Sequence, residues 1–185
     1  MSDLLEPALT ALRASGVVAY PTEAVYGLGC DPPDARACER LFALKQRPRT
    51  QGVLLIGADL DQVFAYVDLA AVPEHALLRV RATWPGPYTW VFPAGPAAPA
   101  WIRGDHTGIA VRVTAHPIAA ELCRRFGAAL VSTSANRHGA APARSAAEVQ
   151  AAFGAELDAV VDGPLGGLGQ PTEIRDVLSG AVLRG

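Results

Sequence analysis

A chain of 185 residues, 50% hydrophobic and 18% charged, can bury one sizeable core and lies far from the composition of a disordered segment. Its net charge of -2 excludes a surface that binds nucleic acid by overall attraction, and no apolar run approaches the ~20 residues that cross a bilayer. Helical and extended patterns then alternate along the whole chain, which predicts an α/β domain over residues 1–185 with helices flanking a twisted mixed sheet. Leu5, Ala8, Leu9 and Leu12 share one face of a first helix, about Asp3 to Ser15, that Gly16 stops. Val17 to Tyr20 reads as a buried strand, and Pro21 to Gly29 as a loop whose Gly27 and Gly29 would let backbone approach a ligand. Asp34 caps a second helix that runs out near Lys45, because Pro48 biases Arg47 away from helical geometry. Val53 to Ile56 is the next strand, followed by short helices around Leu60 to Val67 and Glu74 to Ala82. Trp84-Pro85-Gly86-Pro87 turns into a strand at Tyr88 to Phe92, and Ala94 to Ala100 is a surface connection. A strand at Ile109 to Val113, a helix opened by Pro117 and a strand at Ala129 to Ser132 come next. Ser145 and Glu148 form a capping box for a helix ending at Gly154, and the chain finishes with extended segments near Ala159 to Val161, Ile174 to Val177 and Ala181 to Leu183.

Cys30, Cys38 and Cys123 are odd in number and without C-x-x-C spacing, which argues for small buried residues over disulfides or a zinc site. The four histidines, His75, His106, His116 and His138, show no metal-ligand spacing, so any metal should arrive with a phosphate ligand. Met1 to Thr10 contains acids and no basic cluster, and the chain reads as untargeted and cytoplasmic.

Two clusters carry chemistry. In Lys45-Gln46-Arg47-Pro48-Arg49, an extended backbone at Pro48 would align three cations on one face, suited to a polyphosphate. Ser132-Thr133-Ser134-Ala135-Asn136 ends a predicted strand with hydroxyls and an amide, where open α/β sheets bind ligands. Composition singles out the same segments: Lys45 is the only lysine among 16 basic residues, and Asn136 the only asparagine. Arg112 is the third suspect, since a guanidinium inside a buried strand needs an anion from Asp, Glu or substrate. The tract Gly163 to Gly169 matches no phosphate-loop pattern and reads as a flexible turn, and Ser132 or Ser134 lacks the G-x-S-x-G elbow of a hydrolase nucleophile.

Taken in order, Tyr20 to Gly27, Lys45 to Pro48, Trp84 to Pro87, Ala110 to Val113, Ser132 to Asn136 and Pro171 to Asp176 resemble the YrdC family in its short bacterial form. The resemblance implies a YrdC/RibB-like twisted α/β fold with a deep basic cavity. It also implies synthesis of threonylcarbamoyl-adenylate from ATP, L-threonine and bicarbonate or CO2, for the threonylcarbamoyladenosine of tRNAs that read codons beginning with adenine. The family's K-x-R and S-x-N elements fall on Lys45 with Arg47 and on Ser134 with Asn136. On this reading Lys45 and Arg47 hold phosphates, Arg112 holds the α-phosphate or a carboxylate, and Ser134 and Asn136 orient threonine and nucleotide. Thr22, Thr133 and Thr172 complete the binding set, Mg2+ comes with ATP, and the partners are the proteins that pass the threonylcarbamoyl group to tRNA, with tRNA itself a further candidate. This chain has Ala24 where the family often has threonine, and Gln51-Gly52-Val53 to Ile56 where an Asn-Pro-Leu stretch with a histidine is common. The rival readings are a non-catalytic module gripping structured RNA, and carbamoyl transfer to another acceptor, as in larger hydrogenase-maturation proteins with a similar domain.

Overall fold

A computed structural model describes residues 2–170 and 172–184; Pro171, at the start of the last segment quoted above, lies outside the described residues. Helix α1 (Ser2–Arg13) ends ahead of Ser15, which takes a positive φ of 62° and turns the chain into β1 (Val18–Pro21). The expected loop from Pro21 to Gly29 is half strand: Tyr26–Gly29 forms β2, hydrogen-bonded antiparallel to β1, so only residues 22–25 loop out. Asp34 caps α2 (Ala35–Lys45) by accepting from Arg36 N and Ala37 N, and a short turn (Arg49–Gln51) leads to β3 (Leu54–Gly57). Helices α3 (Leu60–Phe64) and α4 (Glu74–Arg81) precede β4 (Tyr88–Pro93). A one-turn helix α5 (Ala100–Arg103), absent from the sequence expectation, follows; four residues carry too little periodicity to be read. Then come β5 (Gly108–Val113), α6 (Pro117–Phe126), β6 (Leu130–Ser134) and α7 (Ala146–Phe153), with β7 (Ala159–Val160), β8 (Glu173–Asp176) and β9 (Val182–Arg184) last.

The strands form one mixed sheet in the order β7-β1-β2-β6-β3-β5-β4-β8-β9. Side chains alternate across it with a period of two, and the alternation divides the interior. Leu55, Trp90, Phe92, Val111 and Val131 point into the larger core, which α2 and α4 close with Leu41, Phe42, Ala76 and Val80. Val18, Tyr20, Ile56 and Leu130 point the other way, against Leu5, Leu9 and Leu12 of α1 and Ile118 and Leu122 of α6. Those two helices cover only part of this second face. Farther along the same strands the residues at the alternate positions, Leu54, Ala110, Arg112, Ser132 and Ser134, have no helix above them and floor a cavity.

Candidate active site

The cavity measures about 690 Å3 and its wall carries Arg47, Arg103, Arg112, Arg184 and His106, with no Asp or Glu lining it among the described residues. Thr22, Thr133, Ser134 and Thr172 also line it, so six of the eight residues singled out from the sequence meet there; Lys45 and Asn136 do not reach the wall. Gln51, Tyr26, Arg103, His106 and Arg184 were not singled out. Arg184 could not have been found by pattern, because its place at the rim comes from β9 pairing with β8 at the end of the sheet.

The three cations of residues 45–49 do not share a face. Gln46 adopts left-handed geometry (φ 53°, ψ 37°) as the C-cap of α2, which sends Lys45 and Arg47 in different directions. Arg49 turns back to Glu39 at 3.3 Å. Arg47 enters the cavity, its Nη2 donating to Gly52 O at 2.9 Å while its buried Nε finds no partner. Lys45 is only 5% exposed, and its ammonium donates to Ser134 O at 2.5 Å, Asn136 O at 2.9 Å and Asn136 Oδ1 at 3.2 Å. Its three N–H groups are spent on protein oxygens in this structure, where Lys45 ties α2 to the turn after β6. Burial first, and the Arg47 charge second, pull its pKa down to about 8.

Arg112 does have the anion its strand position demands, but poorly. Its Nη1 lies 3.8 Å from Glu23 Oε2, both residues being buried, and neither that oxygen nor Arg112 Nε or Nη1 makes a hydrogen bond. Glu23 is anchored through its other oxygen, which accepts from Thr114 Oγ1 at 2.6 Å and Ala115 N at 3.3 Å. Arg112 thus retains unused donors at the cavity floor. Charge repulsion links the arginines across the space: burial and then Arg184 lower the pKa of Arg47, and burial and then Arg112 lower that of Arg184. Three guanidiniums around this space, two of them (Arg47 and Arg112) incompletely bonded, make a receptor for a polyanion.

The glycine tract is not a free turn. Gly166 N donates to Thr22 O and Leu168 N to Glu23 O, each at 3.0 Å, while Tyr26 Oη donates to Gly163 O and His116 Nε2 lies 3.0 Å from Pro164 O. A Cβ on Gly166 would sit 2.9 Å from Glu23 Cα, so the bare backbone is what allows the tract to lie on the 22–25 loop. It delivers the chain to Thr172 at the cavity wall. The three cysteines are buried free thiols, with Cys30 and Cys38 Sγ atoms 3.6 Å apart in the larger core.

The family model for Sua5, YciO and YrdC, described as telomere recombination, matches residues 10–185. The chain belongs to the Sua5/YciO/YrdC family. Within that family it is 53% identical over 180 residues to a threonylcarbamoyl-AMP synthase of Stenotrophomonas maltophilia, covering 97% of each chain. It is 57% identical over 177 residues to a threonylcarbamoyl-AMP synthase of Halorhodospira halophila, covering 96% of this chain and 92% of the relative. Among solved structures it resembles P. abyssi Sua5 complexed with L-threonine (TM-score 0.85, 32% identity, 91% of this chain), and spans about half of that chain, 49%. It also resembles E. coli YciO, with a TM-score of 0.86 at 27% identity over all of this chain and 89% of that one.

Proposed function

We propose that this chain is an L-threonylcarbamoyladenylate synthase, a nucleotidyltransferase that converts L-threonine, bicarbonate or CO2 and ATP to threonylcarbamoyl-AMP and diphosphate. The observation that carries the reading is the arginine-lined cavity where Arg47, Arg112 and Arg184 converge, in a chain more than half identical to two synthases along nearly their whole lengths. The reaction needs no enzyme nucleophile. Threonine's amine condenses with bicarbonate to a carbamate and water; a carbamate oxygen then bonds to the α-phosphorus as the bond to the β-phosphate oxygen breaks, and diphosphate leaves. Such a displacement calls for alignment and charge neutralisation, which preorganised cations in a water-poor cavity supply. Arg47, Arg112 and Arg184 hold the polyphosphate, and Ser134, Thr133, Thr22 and Thr172 orient threonine and nucleotide. Mg2+ would enter as part of the MgATP substrate, where it would offset phosphate charge beside Arg47, Arg112 and Arg184. The product serves threonylcarbamoyl transfer to tRNA, through partner proteins that take the adenylate, and residues 1–185 act as one domain.

The test is diphosphate release from ATP, bicarbonate and Mg2+, with and without L-threonine. Threonine-dependent release that falls at least about 100-fold in Arg112→Ala is the expected result, by analogy with loss of a group that stabilises transition-state charge. ATP binding without any release would remove the synthase reading.

A further inference from the structure

Asn136 fixes the direction of every hydrogen bond around it. Its Nδ2 donates to the carbonyls of Arg137 at 3.0 Å and Ala140 at 2.8 Å. Its Oδ1 accepts from Lys45 Nζ at 3.2 Å and from Ser134 Oγ at 2.6 Å. Reversing the amide would set its NH2 against an ammonium and its oxygen against two carbonyls, so only one orientation satisfies the network. The turn that bears it cannot swing away cheaply, because His138 N donates to Lys45 O and Arg137 Nη1 to Leu44 O. An oxygen that can only accept therefore faces Ser134, and the hydroxyl proton of Ser134 is committed to it. What Ser134 Oγ has left, at the cavity wall, is lone pairs.

We infer that Ser134 meets substrate as a hydrogen-bond acceptor, held in that polarity by Asn136, whose amide Arg137 O, Ala140 O and the Lys45 ammonium orient, and that its ligand is an N–H or O–H group and not a phosphate oxygen. The identity of the ligands rests on the synthase reading; the polarity does not. Donors of this kind come from the nucleotide, as ribose hydroxyls or the exocyclic amine, or from threonine, as its amine or hydroxyl. Asn136 is then a positioning residue, and the phosphates are left to the arginines.

The test is calorimetric titration of the full chain, Ser134→Ala and Asn136→Ala with ATP, 2′-deoxy-ATP, 3′-deoxy-ATP and N6,N6-dimethyl-ATP, and with threonine, O-methyl-threonine and N,N,N-trimethylthreonine. In the unsubstituted protein the one analogue lacking the donor that Ser134 accepts should bind about tenfold more weakly than its parent, the worth of one well-placed hydrogen bond. Ser134→Ala should bind parent and analogue alike, and which analogue loses its distinction identifies the source. Asn136→Ala should blunt the same discrimination, because the Ser134 hydroxyl is then free to turn and donate to the ligand; an asparagine that only stabilised the turn would leave discrimination intact. If Asn136→Ala does not fold, the Ser134→Ala arm decides alone. Ser134→Ala that discriminates every analogue as the parent protein does, or that weakens inorganic diphosphate instead, overturns the inference. Discrimination that depends on Ser134 in a protein releasing no diphosphate keeps the inference and removes the synthase reading; turnover without such discrimination does the reverse.

Discussion

Lys45 and Glu23 show how single buried charges set the properties of the site. Lys45 has a pKa near 8 because burial, and then Arg47, disfavour its charged form, while Ser134 and Asn136 face it as neutral acceptors. Below about 8 it offers three donors to three acceptors; above it, a neutral amine has two N–H groups and a lone pair turned on oxygen. Activity should therefore decline as pH rises through about 8, an alkaline limb that a pH–rate profile of Lys45→Met would lack. Stability moves oppositely. The unfolded chain holds this proton up to the ordinary lysine value of 10.5, so the group makes the fold less stable at low pH, and that cost disappears as pH climbs from about 8 to 10.5. Urea unfolding at stepped pH measures that sign. For Glu23, truncation strands Arg112 without its anion and frees Thr114 and Ala115, so Glu23→Ala should lose about 3 kcal/mol in urea unfolding. Both suspects, Lys45 by its solitude in the composition and Arg112 by its strand, were legible as residues with a job. Their partners were not, since Lys45 is 89 residues from Ser134 and Glu23 is 91 from Thr114 along the chain.

Elements that start or stop by local chemistry were read closely. Asp34 as the cap of α2, Pro117 opening α6 and Ser145 accepting from Glu148 N are settled within one turn of chain. Asp34→Ala should cost about 1 kcal/mol of stability by denaturant titration. The short helices near the cavity obey longer-range rules. Gly104 has φ +62°, and a Cβ there would lie 2.3 Å from Thr50 O; Gly52, with φ +59°, is pressed in turn against Arg103 O. This interlock holds the 49–51 turn whose Gly52 O accepts from Arg47. Gly104→Ala should lower stability by more than ~1 kcal/mol and weaken ATP binding along with it, both visible in a thermal-shift titration. No pattern in Arg49 to Gly52 or Arg103 to Asp105 announces the contact, because each segment's conformation is chosen by the other.

At the scale of the whole molecule, the sheet brings β1, β2 and β7 together from opposite ends of the chain and seats β6 between β2 and β3. Folding should therefore be cooperative: unfolding in urea followed by tryptophan fluorescence and by far-UV circular dichroism should give coincident single transitions, and separated midpoints would contradict one domain over residues 1–185. The sequence by itself determined the α/β class, most element positions, the family resemblance and the two segments that meet at the cavity, because periodicity, caps and turn residues act over a few residues. Only the tertiary structure decided which sheet face stays uncovered, that Arg184 joins Arg47 and Arg112 around the cavity, and that Lys45 meets Ser134 and Asn136. Those outcomes depend on strand order and on where α1 and α6 end across the sheet, and a side chain's partner there is set by packing between residues that are distant in the chain.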